Sequence, residues 1–271
     1  MLNVLRTIRL FALLAWTLVL PPFQLAALLL GLPAAKRIPV VFHRGVLRVL
    51  RIELDVRGSP AVDPPVLVVA NHSSWLDIVV LSALLPVSFV SKAEIARWPG
   101  VSILARLQRS VFIERRRGQT REGLASLQRR LAAGDNLVLF AEGTSGDGNR
   151  IAPFKSAMFA AAEAGAGGMA PLVQPVSVAY THLNGFPLGR RSRHRLTWYG
   201  RMPLGPHLWR MLGNGRVGVA VDFHAPVRIT DFASRKELAA HCFRQITASH
   251  ALALSGRPRP AADPLPAPAQ P

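Results

Sequence analysis

Residues 65–77 read PVLVVANHSSWLD, and the rest of the chain is best understood outward from them. The run 65–70 is apolar without interruption, the pattern of a strand covered on both faces. A helical pattern follows at about 75–84. A buried strand that passes straight into a helix is the unit of an α/β domain. Polar residues collect at the junction: Asn71, His72, Ser73, Ser74 and Asp77. Strand ends in open α/β sheets are where sites gather.

The same alternation continues downstream. VSFV (87–90), SVFIE (110–114) and NLVLFA (136–141) are further strand candidates, as are LVQPVSVAY (172–180), RLTWY (195–199) and VGVAVDF (217–223). TREGLASLQRRLAAG (120–134) carries Leu124, Leu127 and Leu131 on one helical face, and Gly134 suits its end. A last helix is expected at about 234–253. The expected fold is therefore α/β, a mixed central β-sheet flanked by helices.

Composition narrows the function. Of 271 residues, 50% are apolar and 18% charged, enough for a sizeable core. Lys and Arg total 33 against 15 Asp and Glu, a formal charge of +18. Such an excess points to an acidic partner: nucleic acid, an anionic membrane face or an acidic carrier. The single cysteine, Cys242, excludes an internal disulfide framework and a Cys-based zinc site.

Residues 10–32 separate those partners. LFALLAWTLVLPPFQLAALLLGL contains no charge, but Pro21 and Pro22 divide it into halves of about 15 Å each. Neither half crosses a hydrocarbon core about 30 Å thick. Three readings follow: a hairpin broken at the prolines and dipping into one leaflet, a single kinked span, and a signal peptide. Arg6 and Arg9 before the segment, with Lys36, Arg37, Arg44 and Arg48 after it, favour a re-entrant anchor with both flanks cytoplasmic. The basic surface then faces anionic lipid, and no nucleic acid is implied. The expected organisation is an N-terminal membrane-associated helical hairpin over 1–38, an α/β domain over 39–255 and a disordered Pro/Ala-rich tail over 256–271.

Three short motifs carry chemistry. A neutral imidazole at His72 can take a hydroxyl proton, and a carboxylate at Asp77 can fix its tautomer. The competing reading is an Asn or Ser helix cap beside an unremarkable histidine. Phe140-Ala141-Glu142-Gly143-Thr144-Ser145 also follows a strand. Gly143 lets backbone N–H groups approach an anion, Thr144 offers a hydroxyl, and Glu142 can accept from a substrate hydroxyl or hold a basic neighbour. Lys155 follows in Phe154-Lys155-Ser156 and suits an acidic head group. Val111-Phe112-Ile113-Glu114-Arg115 is a strand ending in a guanidinium, suited to bidentate phosphate contact. Taken singly, the second and third also fit an ordinary turn and a solvated arginine.

In order and spacing, these motifs resemble the glycerolipid acyltransferase superfamily, typified by 1-acyl-glycerol-3-phosphate acyltransferases. That family shows Asn-His-x4-Asp, then Phe-Ile-x-Arg, then Phe-Pro-Glu-Gly-Thr, then a strand containing proline. The matching positions are His72 and Asp77; Phe112, Ile113 and Arg115; Phe140, Glu142, Gly143 and Thr144; and Pro175. The chain departs at Ala141, where the family has Pro, at Ser145, often Arg, and at Arg109, usually Gly. The 142–150 stretch, with Phe154-Lys155-Ser156, also resembles bacterial relatives, including some that acylate lyso-ornithine lipids.

The resemblance implies acyl transfer from a thioester to a hydroxyl, with His72 as base and Asp77 orienting it. It places Arg115, Glu142, Gly143 and Thr144 on the acceptor, with Lys155 as a helper. The expected acceptor is 1-acyl-sn-glycerol-3-phosphate (lysophosphatidic acid), giving phosphatidic acid. Lyso-ornithine lipid is the alternative acceptor, and a non-catalytic lipid-binding protein the further one. No bound cofactor or metal is expected; acyl carrier protein or coenzyme A brings the acyl group. The expected location is the cytoplasmic face of a bacterial inner membrane.

Other signals carry less. Gly213-x-Gly215-x-x-Gly218 matches a dinucleotide fingerprint, but a strand follows it, so a turn is expected. No Gly-x-Ser-x-Gly elbow is present, against an α/β-hydrolase. Cys242 reads as core, and Arg190 to Arg195 as a solvated basic loop, with docking of anionic lipid or an acidic carrier protein as the alternative reading.

Overall fold

The computed structural model describes residues 2–61, 65–113, 120–163 and 170–259. Two helices lead: α1 (Leu2–Leu29) and α2 (Ala34–Leu50). The strands are β1 (Ile52–Arg57), β2 (Val66–Ala70), β3 (Ser88–Lys92), β4 (Val111–Ile113), β5 (Leu137–Phe140), β6 (Leu172–Leu183), β7 (Phe186–Pro187) and β8 (Val217–Phe223). The remaining α-helices are α3 (Leu76–Leu84), α4 (Val101–Leu107), α5 (Thr120–Ala132), α6 (Leu204–Leu212) and α7 (Arg235–Leu254).

The strands form one mixed sheet in the order β1-β8-β6-β2-β5-β3-β4, with β7 paired to β6. The β1–β8, β6–β2, β2–β5, β5–β3 and β3–β4 pairs are parallel. The β6–β7 and β6–β8 pairs are antiparallel. All five residues of β2 are buried. Side chains alternate across a strand, so Val66, Val68 and Ala70 join one core with Leu47 and Leu50 of α2 and Leu76, Val80 and Leu81 of α3. Leu67 and Val69 join the other with Leu127 and Leu131 of α5 and Leu238, Cys242 and Ile246 of α7. Helix layers on both faces explain why the run at 65–70 has no polar alternation. Helix α7 starts where Ser234 Oγ accepts from the Glu237 N–H at 3.3 Å, an N-cap.

The mixed sheet and the packed helical pair agree with expectation, but two details differ. The hairpin does not turn at the prolines. Helix α1 runs through Pro21 and Pro22, and the turn lies at residues 30–33. Each proline forgoes a ladder hydrogen bond, yet tertiary contacts hold both halves in line. Arg9 Nη1 donates to the Leu212 carbonyl at 2.9 Å, at the C-terminal end of α6. Trp16 Nε1 donates to the Phe42 carbonyl at 2.8 Å. Gln24 Nε2 donates to the carbonyls of Ala35 at 3.0 Å and Leu107, the end of α4, at 2.8 Å. Residue 38 consequently lies within α2, not at a boundary. The second difference is at 195–199, which is no strand. Arg193–Arg195 form a single 3-10 turn, and the chain then crosses the strand ends instead of joining the sheet.

Strand β1 was not anticipated, although Ile52, Leu54 and Val56 alternate with Glu53, Asp55 and Arg57. The Gly213–Gly218 stretch ends α6 and leads into β8, as a turn. The tail expected from 256 is described through Arg259, whose guanidinium pairs with Asp55 and Asp222. The remainder lies outside the described residues.

Candidate active site

Two motifs 70 residues apart meet because their strands are parallel neighbours. Ala70 of β2 lies opposite Phe140 of β5, so the next residues leave the sheet side by side. The His72 main-chain N–H donates to Glu142 Oε1 at 2.7 Å, and the Gly146 N–H donates to the His72 carbonyl at 2.9 Å. The His72 ring stacks on Phe140 with centroids 4.0 Å apart and planes 16° from parallel. Backbone and ring are thus held separately.

Asp77 lies in the first turn of α3, where a negative charge meets the helix N-terminus favourably. Its Oδ2 is 2.9 Å from His72 Nδ1 and accepts from the N–H groups of Ser73 at 2.7 Å and Ser74 at 2.9 Å. Its Oδ1 accepts from the Tyr180 hydroxyl at 2.6 Å. A carboxylate can only accept, so Nδ1 of a neutral His72 carries the proton and Nε2 keeps a lone pair. The Asp77 side chain is fully buried, whereas that of His72 is 18% exposed. A partly exposed imidazole over a buried carboxylate is a geometry that can accept a proton while the carboxylate fixes the tautomer.

Asn71 is not a helix cap. Its amide donates to the Val178 carbonyl at 2.9 Å and accepts from the Val178 N–H at 2.8 Å, extending the β2–β6 ladder by one side chain. Ser74 Oγ donates to the Leu196 carbonyl at 3.0 Å, and the Trp198 N–H to the Ser73 carbonyl at 2.8 Å. The 195–199 segment therefore clasps the His72 loop.

Glu142 differs most from expectation. Besides the bond from His72, its Oε2 accepts from the Ala152 N–H at 2.7 Å. It is 3% exposed, and burial pushes its carboxyl up to about 7 while the two N–H donors pull the other way. Both oxygens are engaged by backbone, so Glu142 braces the site instead of facing it. Gly143 has φ +72° and donates its N–H to the Phe140 carbonyl at 2.9 Å, a tight turn that requires the left-handed region. Thr144 and Lys155 are exposed at the same end of the sheet. The Lys155 N–H donates to the Ala141 carbonyl at 3.0 Å, and its ammonium has no ion pair among the described residues. Arg115 lies outside the described residues; β4, the outermost strand beside β3, ends at Ile113 on the side where the parallel strands β2 and β5 also end.

Sequence reading missed Tyr180 and Arg193. Arg193 is buried, against the expectation of a solvated basic loop. It donates to the Leu188 carbonyl at 2.7 Å and to Asn149, tying the loop after Glu142 to the segment after β7. Arg190 and Arg191 beside it are exposed. Cys242 is core, and burial pushes its thiol up to about 12, which removes it as a nucleophile. Among the described residues no three His, Cys, Asp or Glu side chains are placed to hold a metal ion. A cavity of about 580 Å³ between β1, β8 and Arg259 contains none of the motif residues.

Comparison with known proteins gives the site a setting. Residues 53–179 match the family model described as Acyltransferase. The lyso-ornithine lipid O-acyltransferase of Brucella abortus is 44% identical over 94% of this chain and 99% of its own length. That of Rhizobium meliloti is 40% identical over 93% and 88%. The 1-acyl-sn-glycerol-3-phosphate acyltransferase of Neisseria meningitidis is 35% identical over 71% and 73%. The crystal structure of the 1-acyl-sn-glycerophosphate (LPA) acyltransferase PlsC from Thermotoga maritima superposes with TM-score 0.67 at 22% identity, over 96% of this chain and all of that one.

These relatives correct the acceptor expected from sequence. The proteins named for lyso-ornithine lipid match at higher identity and greater length than those named for 1-acyl-sn-glycerol-3-phosphate, so lysophosphatidic acid is not the supported acceptor. Ser145 stands where the resemblance places Arg in many family members, and the Asp147 carboxylate two residues on accepts from the Asn149 main-chain N–H at 2.9 Å and its side-chain amide at 3.0 Å. With its sheet, its His-x4-Asp pair and its relatives all in agreement, the chain belongs to the acyltransferase family.

Proposed function

We propose that this protein is a lyso-ornithine lipid O-acyltransferase working at a membrane surface. The observation that carries the reaction is His72 Nδ1 held 2.9 Å from the buried Asp77 carboxylate. Full-length similarity to lyso-ornithine lipid O-acyltransferases supports the acceptor. His72 Nε2 takes the proton of the acceptor hydroxyl as its oxygen attacks the thioester carbonyl. The tetrahedral intermediate collapses to the ester and expels the thiolate, which takes the proton back from His72. Asp77 stabilises the imidazolium between these steps. No acyl-enzyme is formed, consistent with Cys242 lying in the core. Acyl carrier protein or coenzyme A is the donor carrier.

Arg115, Gly143, Thr144 and Lys155 belong at the acceptor head, whose ornithine carries a carboxylate and an ammonium. Glu142 acts by bracing His72. Helix α1 is long and apolar enough to cross a membrane. Arg9 and Gln24, about 22 Å apart along it, nevertheless hold it against α6 and α4. Its outer face, with Ile8, Phe11, Leu18 and Phe23 exposed, suits an interfacial helix that sets the domain on the cytoplasmic leaflet.

The test is an acceptor panel with purified protein. Lyso-ornithine lipid, lysophosphatidic acid and other lysophospholipids are each offered with acyl carrier protein and coenzyme A donors. Esterification of lyso-ornithine lipid is expected, abolished by His72→Ala. Preferential turnover of lysophosphatidic acid, or activity surviving His72→Ala, overturns the reading.

A further inference from the structure

Strand β6 outruns its neighbour. Its last pair with β2 is Val176 opposite Ala70, yet it continues seven residues to Leu183. Asn71 secures the first part of that overhang through Val178. Two residues on, Tyr180 shares the face of Val176 and Val178 and enters the core layer of α3. Its hydroxyl meets Asp77 Oδ1 at 2.6 Å. Arg193 Nε approaches the Tyr180 carbonyl at 3.4 Å from the other side.

The two oxygens of Asp77 are loaded unequally. Oδ2 faces His72 and the N–H groups of Ser73 and Ser74, whereas Tyr180 is the partner of Oδ1 among the described residues. Asp77 has no exposed surface, so bulk solvent does not reach Oδ1 beside the phenol. We propose that Tyr180 is a positioning residue of the His72–Asp77 pair, locking the carboxylate so that Oδ2 faces the imidazole and limiting how strongly that carboxylate draws the imidazole proton.

The argument rests on the acyl-transfer reading, in which neutral His72 is the base. A donor on Oδ1 withdraws charge from the carboxylate. Without it the carboxylate becomes more basic, the imidazolium is favoured, and less neutral His72 is present near pH 7. Tyr180 is not itself the acid, because burial and then the Asp77 charge push its phenol well above the ordinary range. Nor does it reach substrate, being 1% exposed.

The test compares wild type, Tyr180→Phe and His72→Ala by kcat, acceptor KM and the pH profile of kcat/KM. Tyr180→Phe fills nearly the same volume. It is expected to lower kcat about tenfold or more with acceptor KM nearly unchanged, and to move the ascending limb to higher pH by roughly half a unit. The chain has two tyrosines, so in a Tyr199→Phe background 3-fluorotyrosine labels Tyr180 alone. As a stronger donor of similar shape, it should move the limb to lower pH. Opposite shifts from the two changes support positioning through Asp77. A limb unmoved by both, or moved the same way by both, overturns the proposal while leaving the acyl-transfer reading intact if His72→Ala is inactive. If Tyr180→Phe does not fold, the direction of the fluorotyrosine shift decides. Activity that survives His72→Ala overturns the underlying reading instead.

Discussion

Glu142 holds His72 by the backbone: its Oε1 accepts the His72 N–H at 2.7 Å while its Oε2 accepts the Ala152 N–H at 2.7 Å. The acid of the second motif thereby fixes the main chain of the first. Gln at this position offers one acceptor and one donor to two N–H groups. Glu142→Gln should therefore lower kcat roughly 10- to 100-fold with a smaller change in acceptor KM, measured by steady-state kinetics. A KM effect with kcat untouched would return Glu142 to the acceptor.

The same burial has a pH signature. Glu142 sits at about 7 when folded against 4.5 for the free group, so the folded state holds its proton more tightly. Its contribution to stability is present below about 4.5 and is lost as pH rises through 7, a change on the order of 3 kcal/mol. Urea denaturation of wild type and Glu142→Gln across pH 5–7.5 should show the wild-type advantage shrinking as pH rises. A gap constant across that range would refute the assignment.

Asp77→Asn removes the charge that steadies imidazolium and presents an amide to Nδ1, favouring the wrong tautomer. A loss in kcat of roughly 10³-fold or more is expected, with folding checked by circular dichroism. Full activity would remove Asp77 from the mechanism.

Gln24→Leu separates a packed α1 from a lipid-surrounded one. In a packed helix the change leaves the Ala35 and Leu107 carbonyls without their donor. It should destabilise by about 1–3 kcal/mol although the helix becomes more apolar. A helix facing lipid there would tolerate or prefer Leu, and an unchanged thermal midpoint in detergent would favour that topology.

Arg109 stands at φ +62°, where an L side chain is strained and where the family usually has glycine. Its guanidinium pairs with Asp135 at 2.6 Å. Burial works to raise the Asp135 carboxyl, but Arg109, Arg130 and Lys36 bring it down to about 2. Arg109→Gly loses the pair and relieves the backbone, whereas Arg109→Ala only loses the pair. The glycine variant should be the more stable of the two by about 1 kcal/mol, read from chemical denaturation. Equal stabilities would mean the backbone strain has no cost here.

How much was legible varied with range. The strand at 65–70, the amphipathic helix at 120–134 and the strand at 217–223 announced themselves through local periodicity, and each occurs close to its expected bounds. RLTWY at 195–199 has strand-like residues but no strand, because its backbone groups bond to the His72 loop. The proline pair signalled a break that packing of Trp16 and Gln24 overrides.

The chain's own order of residues was enough for the α/β class and the apolar N-terminal segment, since both depend on local pattern, whereas the pairing of His72 with Asp77 came from the family resemblance, because that spacing alone also fits a helix cap beside a histidine. Tertiary structure alone decided that Glu142 faces backbone, that Tyr180 reaches Asp77 from another strand, and that Arg193 is buried. Those facts depend on which strands become neighbours and how far each overruns the next, and that is settled by closing contacts tens to more than a hundred residues apart. Local propensity carries no record of such distances.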